Sequence, residues 1–201
     1  ELCLNAALKH GKDDALNHKI GDQWFNIPAA LFVERVRNLA LGLTEVGIKP
    51  GDRIALLSEN RPEWSIADLA ILSLGAINVP IYTTQAVDQI RYILIDAGTR
   101  AIFISNRKLY NHAAAALEGL DFLERIVFFD EGSNEGLDRS TSLDALENNG
   151  RRRAAGDRAR RVVGVQRGED EVAGERGLDG DLGRLEVADF ADHDDVRVLA
   201  Q

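Results

Sequence analysis

Apolar residues recur at steps of three and four from Phe32 through Val36, Leu39 and Leu43 to Val46, which is one face of a helix. Gly47 follows as a left-handed cap, and Pro50 prevents continuation. After the turn Gly51-Asp52, the run Ile54-Ala55-Leu56-Leu57 is short and wholly apolar, the pattern of a strand covered on both faces. Pro62 then suits a first helical turn, where its missing N–H would be unpaired anyway. The helix it opens runs to about Leu74 and carries Trp64, Ile66, Leu69 and Ile71, enough apolar surface to be packed on more than one side. Ile77–Ile81 resumes extended chain, and Pro80 within it points to a sheet edge or a strand end.

The alternation repeats. Val87, Ile90, Leu94 and Ala97 form a helical stripe closed by Gly98; Ala101–Ile104 reads as a strand. Residues 107–118 read as a helix, and Ile126–Phe129 as a strand ending at Asp130. Strand and helix in turn predict an α/β domain: a largely parallel sheet, right-handed crossovers and flanking helices on both faces. Ligands of such sheets bind beyond the carboxyl ends of the strands. The polar bend Ser58-Glu59-Asn60-Arg61 and the segment Tyr82–Gln85 both fall there.

Composition divides the chain at about residue 150. Residues 1–150 hold 14 isoleucines and all five lysines; residues 151–201 hold neither, and carry ten arginines and twelve acids. So few large apolar residues cannot offset the ordering of that much backbone. Residues 151–201 are therefore expected to be a low-order tail, with a short helix near Arg151–Arg161. The abrupt break also leads to the expectation that residues after about Gly150 come from a shifted reading frame. Sequencing the gene tests this, and an uninterrupted native frame overturns it.

The formal net charge of −9 argues against a nucleic-acid partner, which would need a basic face. The run RRRAAGDRARR has no interleaved aromatic and is followed at once by acids, so it reads as a solvated stretch. One cysteine, Cys3, excludes an intrachain disulfide and fits a cytoplasmic protein. No apolar run reaches the roughly 20 residues of a membrane span, which leaves peripheral attachment as the only membrane role expected of these residues. The chain starts at Glu1, so an N-terminal segment is expected to be missing.

Little chemistry is visible in the residues themselves. The four histidines are scattered, and no glycine-rich phosphate loop or dinucleotide fingerprint appears. Ser58 lacks the flanking glycines of a nucleophile elbow, and Ser58 or Asn60 is expected to cap the next helix. Asp52 is expected to accept turn N–H groups, and Arg53 to face solvent. Glu59, Arg61 and Glu63 read as a surface ion-pair set of little energetic weight. Trp64 reads as a core aromatic, and Thr84 or Gln85 as a helix cap.

The stretch GDRIALLSENRPEWSIADLAILSLGAINVPIYTT resembles the N-terminal part of the adenylate-forming acyl-CoA synthetases, and within them the long-chain fatty acid–CoA ligases. The resemblance rests on Gly51-Asp52, Asn60-Arg61-Pro62-Glu63-Trp64, Leu74-Gly75-Ala76 and Ile81-Tyr82 taken together, and covers roughly residues 5–150. Thr83 stands where the family usually has proline. The resemblance implies that residues 1–150 are the N-terminal part of an AMP-binding domain. The complete enzyme would use ATP, Mg2+ and coenzyme A to turn a fatty acid into its thioester through an acyl-adenylate. The family's phosphate loop would begin near or beyond residue 195 and is not found. No catalytic, cofactor-binding or metal residue is therefore assigned, and the 201-residue chain is expected to bind no cofactor and to be inactive by itself. A ligase for short-chain, aromatic or amino acids, and a non-catalytic binding module, stand as alternatives.

Overall fold

The computed structural model describes residues 2–171. Helix α1 (Leu2–His10) leads into an antiparallel hairpin, β1 (Leu16–Ile20) and β2 (Gln23–Ile27), and then α2 (Ala29–Glu45). The alternation follows: β3 (Arg53–Leu57), α3 (Pro62–Ser73), β4 (Ile77–Ile81), α4 (Val87–Ala97), β5 (Ala101–Ile104), α5 (Arg107–Leu117) and β6 (Arg125–Phe128). The short β7 (Ser140–Ser142) and the long α6 (Leu143–Glu171) complete it.

Strands β3 to β7 form one parallel sheet in the order β4-β3-β5-β6-β7. The expected α/β fold is present, and β4, with Pro80, stands at an edge. From β3 the chain steps outward to β4, then returns past β3 to β5. If all crossovers share the right hand, this reversal puts α3 on one face and α4 on the other. The pleat shows both faces filled. Ile54, Leu56, Phe103 and Val127 pack into the core with α2, α3 and α6. Ala55, Leu57, Ile102 and Ile104 pack into the core with α4 and α5. Wholly apolar strands are read correctly from the sequence because each serves two cores.

Four elements lay outside the sequence pattern: β1, β2, β7 and α1. The hairpin gathers Leu16, Ile20, Phe25 and Ile27 on one face only once its strands pair, β7 is Ser-Thr-Ser, and α1 is short; backbone pairing and docking define them. The helix read near Arg151–Arg161 lies inside α6, so the composition break at residue 150 falls within a helix. The rest of the expected tail, from residue 172, lies outside the described residues.

Helix α6 packs along α2 through two glycines. A Cβ on Gly42 would overlap the Leu146 carbonyl oxygen, and one on Gly150 would overlap that of Asn38. Beside them Glu147, only 6% exposed, accepts from Arg35 Nε at 3.1 Å to each carboxylate oxygen, and from Nη2 at 2.9 Å.

Two local expectations are corrected. Neither Ser58 nor Asn60 caps α3: its N-cap is Arg61 without a side-chain bond, and the Ser58 hydroxyl donates to the Glu59 carbonyl at 2.8 Å. Pro62 at the helix start already removes one donor that a cap would serve. Nor does Thr84 or Gln85 cap α4: the N-cap is Ala86, whose N–H donates to Gln89 Oε1 at 3.2 Å. Helix α5 does have a side-chain cap, Asn106 Oδ1 accepting from Leu109 N–H at 2.9 Å. Asn106→Ala is expected to cost about 1 kcal/mol in urea unfolding.

Candidate functional site at the carboxyl edge of the sheet

The chain turns left from β3 and right to β5, so the crevice between their carboxyl ends is the topological switch point, where open α/β sheets bind ligands. The bend Ser58–Arg61 forms one wall. Ser105 and Asn106, which follow β5, form the other, and Phe129 and Asp130, which follow β6, lie beyond. The fold thus brings the bend to the expected place. Tyr82–Gln85 follows the edge strand β4, with Tyr82 turned to solvent.

Side chains bridge the crevice. The buried Ser105 hydroxyl donates to Glu59 Oε2 at 2.7 Å and accepts from Asn106 Nδ2 at 3.1 Å. Arg61 donates through Nε to Glu63 Oε2 at 2.7 Å and through Nη1 to Asp130 Oδ1 at 2.8 Å, with Glu59 Oε1 at 3.9 Å. Its guanidinium carbon lies 5.6 Å from the centre of the Phe129 ring. The expected surface ion-pair set is therefore more than that. Arg61 is largely buried and reaches across the sheet to the loop after β6. Sequence spacing carries no signal of the Arg61–Asp130 and Ser105–Glu59 contacts beyond the fact that all four residues follow strands.

The same residues tune one another. Burial pushes the Glu63 carboxyl up, but the hydrogen bond from Arg61, one from the backbone, and the charges of Arg61 and Arg35 together outweigh this and leave it below the ordinary carboxylate value. Burial pulls Arg61 down, and Glu63 and Asp130 more than reverse it. A carboxyl lowered in the fold contributes stability that is present above its unfolded value and lost as pH falls through the folded value. Glu63→Gln is therefore expected to flatten the loss of stability below pH 4.5, the ordinary Glu value. Urea midpoints measured from neutral pH down to pH about 3 read this directly.

At the opposite, amino edge, burial opposes ionisation of Asp52, but Lys49 N–H and Arg100 outweigh it and hold the carboxyl low. Asp52 Oδ2 accepts from Lys49 N at 2.8 Å, as read from the turn, and from Arg100 Nη1 at 2.7 Å. Arg53 is exposed as expected, yet its Nε donates to the Ala97 carbonyl at 2.6 Å and so serves the end of α4. Trp64 packs against the core as a partly buried side chain.

A nucleotide triphosphate needs cations and N–H donors aimed at it. Arg61 is committed to carboxylates, and the crevice is acid-rich and bridged. Among the described residues no group of three or more His, Cys, Asp or Glu side chains could hold a metal ion. Among the same residues, no helix is long and apolar enough to cross a membrane.

Comparison with known proteins supplies what the site does not. The chain is 30% identical over 141 residues to the long-chain-fatty-acid–CoA ligase FadD15 of Mycobacterium bovis, covering 68% of this chain and 24% of that protein. It is 28% identical over 135 residues to the long-chain-fatty-acid–CoA ligase ACSBG2 of Xenopus laevis, covering 67% of this chain and 18% of that one. The chain thus spans a quarter or less of these relatives. The R395G form of coronafacic acid ligase from Pectobacterium brasiliense superposes with a TM-score of 0.62 at 19% identity, over 72% of this chain and 29% of that one, and shares its fold. The family model described as AMP-binding enzyme matches residues 5–171, and the chain belongs to that family.

Proposed function

We propose that the chain is the N-terminal portion of an adenylate-forming ligase that activates long-chain fatty acids. In the complete enzyme a fatty carboxylate would attack the α-phosphate of ATP, releasing pyrophosphate. The thiol of coenzyme A would then displace AMP to give the thioester. The observation that carries this reading is the 30% identity to the mycobacterial long-chain ligase over 141 residues. ATP, Mg2+ and coenzyme A would be held by parts of the enzyme outside the described residues.

In this reading residues 1–150 are scaffold. They supply a two-faced parallel sheet and fix its carboxyl edge by joining the β3, β5 and β6 loops through Glu59, Arg61, Ser105 and Asp130. The 201-residue chain, mixed with ATP, Mg2+, palmitate and coenzyme A, should give no thioester. A chimaera in which residues 5–142 replace the matching segment of the mycobacterial ligase should still form palmitoyl-CoA. Turnover by the chain alone, or a folded chimaera without activity, would overturn the proposal.

A further inference from the structure

The ribbon of β1 and β2 has one apolar face. Pairing sets Leu16 across from Ile27, His18 from Phe25 and Ile20 from Gln23, and side chains two apart on a strand share a face. That face therefore holds Leu16, Ile27, Phe25 and Ile20, while Asn17, Asn26, Lys19 and Trp24 lie on the other. Cover for the apolar face runs out along its length. At the base Leu16 and Ile27 pack against the core, and Ala29 N–H donates to the Lys12 carbonyl at 2.8 Å. Towards the tip Phe25 is 47% exposed and Ile20 58%. One continuous stripe is thus buried at one end and bare at the other, on a ribbon that is marginal in water without something against it.

The parallel sheet needs no such cover, since both of its faces are filled by helices of this chain. Large apolar side chains left bare gather instead at the start of the chain. Among the described residues Leu8, Ile20, Trp24, Phe25 and Leu31 fall within the first 31, and the others are spread from Leu72 to Phe122. This chain spans 24% of the mycobacterial ligase, so about three-quarters of such an enzyme lies outside it.

We infer that a segment of that remainder closes over Ile20 and Phe25, continuing the core that Leu16 and Ile27 begin. The ribbon face is then the seat on which the N-terminal portion and the rest of the ligase join. The stripe presents no carboxylate, lysine or arginine, so the segment that sits on it brings apolar side chains and no charge to be paired. The inference rests on the ligase reading, and its test reads burial and not turnover.

Phe25→Cys places a thiol on the stripe, both in the 201-residue chain with Cys3→Ser and in the chimaera that carries residues 5–142. Alkylation by N-ethylmaleimide, followed by mass spectrometry on the peptide containing position 25, should be at least about tenfold slower in the chimaera than in the chain. Ile20→Asp with Phe25→Asp should leave the urea midpoint of the chain unchanged and lower that of the chimaera. Equal alkylation in the two proteins would overturn the inference, as would a chimaera that does not fold. So would alkylation of the chain alone that slows as its concentration rises, since that identifies a second copy as the occupant. A folded chimaera that protects position 25 yet makes no palmitoyl-CoA would sink the ligase reading and still support the seat.

Discussion

Replacing Gly150 by alanine is expected to destabilise the protein by about 3 kcal/mol, although alanine is the better helix former. In a free helix the change should gain roughly 0.5–1 kcal/mol. Here the new methyl would overlap the Asn38 carbonyl oxygen, with the carbonyl carbon 2.7 Å away and the Gly42 nitrogen at 2.9 Å. These are backbone atoms of α2 and cannot turn aside as a side-chain tip could, so the helices must move apart. Gly42→Ala meets the Leu146 carbonyl in the same way and should behave alike. Exposed Gly156, whose added Cβ would touch nothing within 4 Å, is the internal control and should gain from alanine. Urea midpoints of the three variants read the opposite signs. A stabilised Gly150→Ala protein would mean that α6 does not lie on α2.

The second large effect belongs to the ion pair beside that crossing. Glu147→Ala should cost about 3 kcal/mol, because it leaves the Arg35 guanidinium largely buried without its partner. Removing both charges, as Arg35→Met with Glu147→Leu, should recover most of the loss, since apolar replacement of a buried pair is often neutral or better. The pH dependence has its own sign. Burial raises the Glu147 carboxyl above its ordinary value, and Arg35 only partly offsets this. A carboxyl raised in the fold binds its proton before the unfolded chain does, so its contribution improves as pH falls through the raised value. That is opposite to Glu63. The double variant should therefore lose an acid-side gain that the parent shows, visible as a changed slope of unfolding free energy between neutral pH and the ordinary Glu value.

Both effects arise where the sequence offered no warning. The bounds of the core elements were legible because Leu56 or Ile102 serves a strand packed on both sides, and an apolar run of four or five residues is a strong signal of that. The register of α6 on α2 was not legible. It depends on two glycines 108 residues apart, and each alone reads as an unfavourable residue in a helix. The polar carboxyl edge was half legible. The bend Ser58–Arg61 could be placed at a strand end, but the cap expected of Ser58 or Asn60 is absent, because Pro62 removes a donor and Arg61 reaches to Asp130 instead.

By itself the sequence determined the alternation of strand and helix from Ile54 to Phe129, the kinship carried by the Gly51–Thr84 stretch, and a net charge of −9. Local periodicity and composition are enough for these, since each is settled by residues near one another in the chain. Only the tertiary structure decided that β3 and β5 are neighbours, that their crevice is bridged by Glu59 and Ser105, and that a ribbon with Trp24 at its tip stands exposed. Those facts depend on which distant segments meet, and that is set by the hand of the crossovers and the packing of two cores against one sheet.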